Sequence, residues 1–97
     1  MPTVVLAPAL ARWLTAEPGV GGGERRLAVE GTTLRGLFDR LFAEFPQLRG
    51  YVLDERGALR HHVVAFLDGA AVADKQSLSD PVAADSEIYL FQALSGG

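Results

Sequence analysis

The apolar positions alternate between two periods along the chain. Thr3, Val4, Val5 and Leu6 form a short β-branched and apolar run, which predicts a first strand that Pro8 stops. Leu10, Trp13 and Leu14 then fall at i, i+3 and i+4, the spacing of one or two helical turns, with Trp13 as a packing residue. A glycine-rich stretch, residues 18–23, reads as a loop. Beyond it, over residues 25–30, Leu27 and Val29 alternate with Arg26, Ala28 and Glu30. That pattern predicts a half-buried second strand, antiparallel to the first.

The clearest element follows. Leu34, Leu37, Phe38, Leu41, Phe42 and Phe45 recur at helical spacing on one face, which predicts an α-helix over about residues 33–44. Thr32 or Thr33 caps its start and Pro46 ends it. Arg35, Asp39, Arg40 and Glu44 fall on the opposite, wet side. Leu48, Tyr51, Val52 and Leu53 suggest a short helical turn, and residues 54–57 a turn. Residues 59–67 predict a two-faced strand, in which Val63, Ala65 and Leu67 alternate with His62, Val64 and Phe66. Asp68 and Gly69 turn it, residues 70–73 form a brief strand, and Leu78 and Val82 anchor an irregular stretch to the core. After a turn at residues 84–86 comes the last strand, with Ile88 and Leu90 on one face and Tyr89 and Phe91 on the other.

This order predicts an α+β fold. A mixed sheet of four to five strands has one main helix on one face, with the first and last strands paired in its middle. The 97 residues are expected to form a single domain, 1–97, with a flexible tail over residues 92–97 that leaves from the sheet's centre.

Composition narrows the function. Apolar content of 48% and charged content of 22% fit a folded protein, and a net charge of −3 without a basic stretch argues against nucleic acid or an anionic membrane as partner. No apolar run has the length to cross a bilayer, and no signal-peptide pattern opens the chain. The absence of cysteine excludes disulfides, thiolate zinc sites and a thiol nucleophile, and fits a cytoplasmic location.

Several arrangements that resemble chemistry are set aside. The glycine-rich loop lacks the Gly-Lys-Ser/Thr ending of a phosphate cradle, and no helical pattern follows it. His61 and His62 adjoin on a predicted strand and so point to opposite faces, which argues against a shared metal. Asp54 with Glu55, and Asp85 with Glu87, read as solvated turns, and Ser95 as spacer. If the first alternating set of the sheet faces the helix, Phe66, Tyr89 and Phe91 lie with Val64 on the other face. An exposed aromatic cluster there marks a partner surface unless the glycine-rich loop or residues 70–83 fold over it.

The chain ends Leu94-Ser95-Gly96-Gly97 directly after the last strand. Glycine has no Cβ, so such an end is slim enough for a narrow channel and leaves its carboxylate unshielded. Fully extended, residues 92–97 reach roughly 20 Å, at about 3.3–3.6 Å per residue.

With that ending the chain resembles the small ubiquitin-like sulfur carriers: the small subunit of molybdopterin synthase and the thiamine-pathway and cysteine-pathway carriers. The resemblance rests on Val4-Val5-Leu6, on Gly31-Thr32-Thr33-Leu34, on the run from His62 to Gly69, and on the run from Ile88 to Gly97 with its terminal glycine pair. It implies a ubiquitin-like β-grasp fold. It also implies that the Gly97 carboxylate is adenylated by an ATP-using, E1-like activating enzyme, with Gly96 giving slim access. Conversion to a thiocarboxylate then allows sulfide transfer to an acceptor synthase in cofactor or cysteine biosynthesis. On this reading the chain is a carrier and not an enzyme, and binds no cofactor or metal itself. Leu94 docks beside Phe66, Tyr89 and Phe91 as the tail enters a partner. Two alternatives share the same end: a protein modifier conjugated through Gly97, and a small subunit completing a molybdopterin-synthase-like enzyme.

Overall fold

The computed structural model describes residues 1–11, 24–72 and 74–92. Trp13, Leu14, the glycine-rich loop, Ala73 and the tail residues Ala93, Leu94, Ser95, Gly96 and Gly97 lie outside the described residues. The elements in order are β1 (Thr3–Leu6), α1 (Pro8–Ala11), β2 (Arg25–Ala28), α2 (Leu34–Glu44), α3 (Pro46–Val52), β3 (Val63–Leu67), β4 (Ala70–Ala71) and β5 (Glu87–Gln92). The five strands form one mixed sheet in the order β2-β1-β5-β3-β4. β1 pairs antiparallel with β2 and parallel with β5, and β5 pairs antiparallel with β3. This is the α+β, β-grasp arrangement expected from the sequence, and the last strand does occupy the middle of the sheet.

The strand period decides which side chains meet the helix. Val4, Leu6, Val63, Ala65, Ile88 and Leu90 point to one face and are all at most 2% exposed. Onto them pack Leu34, Leu37, Phe38, Leu41 and Phe42 of α2, in a core shared with Leu48 and Val52 of α3. Thr33 is the N-cap: its backbone is extended and its hydroxyl accepts a 3.1 Å hydrogen bond from the Gly36 amide. Gly31 is required by close approach, because a Cβ there would lie 2.7 Å from the Leu37 Cα. The hairpin between β3 and β4 turns through Asp68 (φ 50°) and Gly69 (φ 86°), the left-handed pair such tight turns need.

Several local expectations change. The strand expected over residues 25–30 ends at Ala28, and the one expected over residues 70–73 spans only Ala70–Ala71. Residues 59–62 do not extend β3. Leu59 instead forms an isolated bridge with Leu53 and donates its amide to the Lys75 carbonyl at 2.8 Å. A turn then closes through the Val63 amide onto the Arg60 carbonyl at 2.9 Å. His61 and His62 therefore sit at a corner, not on opposite faces of a strand, and their rings meet edge to face at 5.5 Å. Arg35 is not simply a wet-side residue. Its guanidinium donates to the carbonyls of Gly57 and Gln76, both at 2.8 Å, and ties two loops to the start of α2. Finally, β5 runs through Gln92, which pairs with Val63, so the strand extends one residue further than expected.

Two exposed carboxylates organise the connecting turns. Asp54 accepts the amides of Ala58 and Arg56, and the Ala58 bond is the main cause that holds its pKa below the ordinary 3.8. Asp74 is held below the same value chiefly by the Ser77 hydroxyl, and then by the amides of Ser77 and Gln76.

Two stability predictions follow from this packing. Gly31→Ala must displace the α2 backbone and should lower unfolding free energy by about 1–3 kcal/mol, and Phe38→Ala by about 3–5 kcal/mol, both read by urea denaturation. The unfolded chain takes up protons at Asp54 and Asp74 before the folded chain does. Their contribution is thus complete above pH 3.8 and is lost as pH falls through the lower folded values. Asp54→Asn and Asp74→Asn should each flatten the acid limb of a stability-versus-pH curve; an unchanged limb would refute the assignment.

Candidate functional site

The face of the sheet away from α2 is built by the alternate strand positions. Register places Arg26, Val5, Tyr89, Phe66 and Ala71 in one row across all five strands, and Phe91 beside Val64 in the next. The aromatic rings form a connected group. Phe66 and Phe91 stack with centroids 5.7 Å apart and planes 15° apart, and Tyr89 tilts against Phe91 at 5.6 Å. Such offset and tilted pairs are the favourable aromatic geometries.

The sequence predicted an exposed cluster, and exposure is lower than that. Phe66, Tyr89, Phe91 and Val64 are half-buried because the rings shield one another, and Val5 beside them is only 1% exposed. Residues 74–82 do not fold over this face. Leu78 and Val82 are buried in the core on the helix side, and the Leu78 carbonyl accepts the Arg35 amide at 2.9 Å. The glycine-rich loop, the other candidate cover, lies outside the described residues. An ion pair between Arg26 of β2 and Glu87 of β5 reaches across β1 and edges the aromatic group. Both side chains are about half exposed, so the pair adds little stability and serves mainly to give the face a charged rim.

A polar latch at the other end of β5 escaped the sequence reading. Ser86 is 3% exposed, and its hydroxyl donates to the Asp68 carboxylate at 2.9 Å while accepting the Ala83 amide at 2.9 Å. The second Asp68 oxygen accepts the Glu87 amide at 2.8 Å, and the Ser86 carbonyl accepts the Thr3 amide at 2.9 Å. The start of β5 is thereby fixed to β1 and to the turn after β3. Every polar atom of Ser86 is satisfied, so the latch is structural and holds no reactive group. The sequence offered one faint signal, a serine beside a strand start within reach of a turn aspartate.

Of the predicted site residues, the structure brings Phe66, Tyr89 and Phe91 together on one face. Leu94, Gly96 and Gly97 lie outside the described residues. The strand that leads to them ends at Gln92, paired with Val63 at the start of β3 and two residues beyond Leu90, which pairs with the last residue of β1, Leu6. Among the described residues, no group of three or more His, Asp or Glu side chains is placed to hold a metal, and no helix is long and apolar enough to cross a membrane.

Comparison with known proteins adds the family. A search of curated protein sequences finds no match. Among solved structures, SAMP1 from Haloferax volcanii is 28% identical and superposes with a TM-score of 0.68, covering 98% of this chain and 99% of that one. Two further structures share the fold at lower identity. The CysO-containing BexX/CysO complex from Amycolatopsis orientalis matches at 17% identity and TM-score 0.79, with 100% of both chains covered. CysO from Mycobacterium tuberculosis matches at 18% and 0.73, covering 94% of this chain and 99% of that one. The profile of the ThiS family matches residues 15–97. A central strand of a β-grasp sheet, an aromatic face beside it and this match across most of the sequence together identify the chain as a member of the ThiS family of small ubiquitin-like sulfur carriers.

Proposed function

We propose that this protein carries sulfur as a thiocarboxylate on Gly97. Membership of the ThiS family over residues 15–97 is the observation that carries this reading. In the first step a Gly97 carboxylate oxygen attacks the α-phosphorus of ATP on an E1-like partner. The bond to the β-phosphate breaks and pyrophosphate leaves. In the second, sulfide (HS−) held by the partner forms the C–S bond as the acyl C–O bond to AMP breaks, and loss of its proton leaves the thiocarboxylate. An acceptor synthase for a cofactor or for cysteine then takes the sulfide.

The chemistry explains the need for activation. A free α-carboxylate has a pKa of about 3.3–3.7, so it is anionic and a poor electrophile at neutral pH. The adenylate supplies the leaving group. The catalytic groups belong to the partner, and the reaction runs in the cytoplasm where ATP is available. Phe66, Tyr89 and Phe91 provide the docking face, Leu94 seats beside them, and Gly96 lets the tail pass a narrow entrance. That CysO from Amycolatopsis orientalis was crystallised in a complex with BexX supports docking of the globular body on a second protein.

A second reading is favoured by one specific observation. The 28% identity to SAMP1, a small archaeal modifier protein, extends over 98% of this chain. The same activated end would then be joined to amines on other proteins.

Intact-mass analysis of protein isolated from its native cells tests the first reading. We expect a species heavier by one oxygen-to-sulfur exchange, lost when Gly97 is deleted while the fold persists. Only free acid, under conditions where the pathway operates, would refute it. The docking face is tested separately. Phe91→Ala should reduce kcat/KM for activation roughly ten- to thirtyfold, the effect of losing about 1.4–2 kcal/mol at an interface hot spot. Unchanged kinetics in the folded variant would remove the aromatic group from the interface.

A further inference from the structure

An activated acyl end reacts with whatever amines and thiols it meets, so the nucleophiles on the carrier itself matter. This chain has no cysteine, and among its nine basic residues only one, Lys75, is a lysine. Arginine stays protonated and does not compete as an acyl acceptor. The sequence thus leaves one amine side chain on the molecule.

The fold holds that lysine in a defined place. Lys75 opens the turn over residues 75–77, on the helix side of the sheet and away from Phe66, Tyr89 and Phe91. The turn is pinned from several directions. The Lys75 carbonyl accepts the Leu59 amide at 2.8 Å, the Gln76 carbonyl accepts an Arg35 Nη at 2.8 Å, and the Leu78 carbonyl accepts the Arg35 amide. The neighbouring Asp74 carboxylate is occupied by the amides of Gln76 and Ser77 and by the Ser77 hydroxyl. Among the described residues, the ion pairs are those of Arg26 with Glu87 and Arg40 with Glu30, so the Lys75 ammonium has no carboxylate partner. Lys75 is thus a half-buried amine on a hydrogen-bonded turn, with no carboxylate partner among the described residues.

We propose that Lys75 is the site at which one copy of this chain receives the C-terminus of another. The inference rests on the activated Gly97 end of the proposed function, in its modifier form. The neutral Lys75 Nζ attacks the acyl carbon of Gly97 in the adenylate of a second copy. The new C–N bond forms as the bond to AMP breaks, and the surplus amine proton passes to solvent. The position of Lys75 has a consequence: a copy modified there keeps its aromatic face uncovered and can itself be activated and passed on.

The test is expression of the full chain in its native cells as wild type, Lys75→Arg and a Gly97 deletion, followed by intact-mass and tryptic analysis. Lys75 is the last basic residue, so trypsin should leave residues 76–97 as a branch on Lys75 of a peptide covering residues 61–97. We expect wild type to give a species of twice the chain mass less one water, carrying that branch. Lys75→Arg should keep the thiocarboxylate monomer and lose the dimer, and the Gly97 deletion should lose both. A dimer that persists in Lys75→Arg, or a branch on the Met1 amine, overturns the inference. Thiocarboxylate monomer without dimer in wild type overturns it alone; neither species overturns it together with the reading on which it rests.

Discussion

Strands β1 and β5 come from opposite ends of the chain and lie parallel, side by side, at the middle of the sheet. Their inward residues Val4, Leu6, Ile88 and Leu90 are all fully buried, and burying each such side chain contributes about 1.5–3 kcal/mol. Breaking this pair would expose the core and split the sheet between β2-β1 and β5-β3-β4. The Asp68 and Ser86 latch fixes where β5 begins, and the pairing of Gln92 with Val63 fixes where it ends. A segment leading out of this strand starts from the central strand of the sheet.

The same strand supplies two of the three rings of the aromatic group on the opposite face. Alternation along β5 puts Ile88 and Leu90 into the core and Tyr89 and Phe91 on the opposite face. One six-residue element therefore anchors the fold, contributes to the aromatic group and leads to the terminus. The rings stack on one another and are half-buried.

Much of this was legible in the sequence because it is periodic. The i, i+3, i+4 spacing from Leu34 to Phe42 gave α2, and the alternation in residues 63–67 and 87–91 gave both faces of the sheet. What periodicity does not encode was missed. Arg35 looked like a solvent-facing helix residue, yet its guanidinium closes two loops through backbone carbonyls, whose positions depend on the tertiary fold. Leu59 reads as strand by composition, but its amide is drawn to the Lys75 carbonyl and the chain turns at His61 and His62. The candidate site divides the same way. Phe66, Tyr89 and Phe91 followed from strand alternation, whereas the role of Gly96 and Gly97 came from their place after β5 and from family resemblance, since two glycines carry no pattern of their own.

The central claim is that the chemistry resides in the Gly97 carboxylate and in no side chain of the folded body. ATP–pyrophosphate exchange by the activating partner measures this directly, with the native chain compared against one whose C-terminus is a carboxamide, uncharged and without a nucleophilic oxyanion. The account predicts exchange that depends on the native chain and disappears with the amidated one. Equal exchange with both would place the reacting group elsewhere and contradict it.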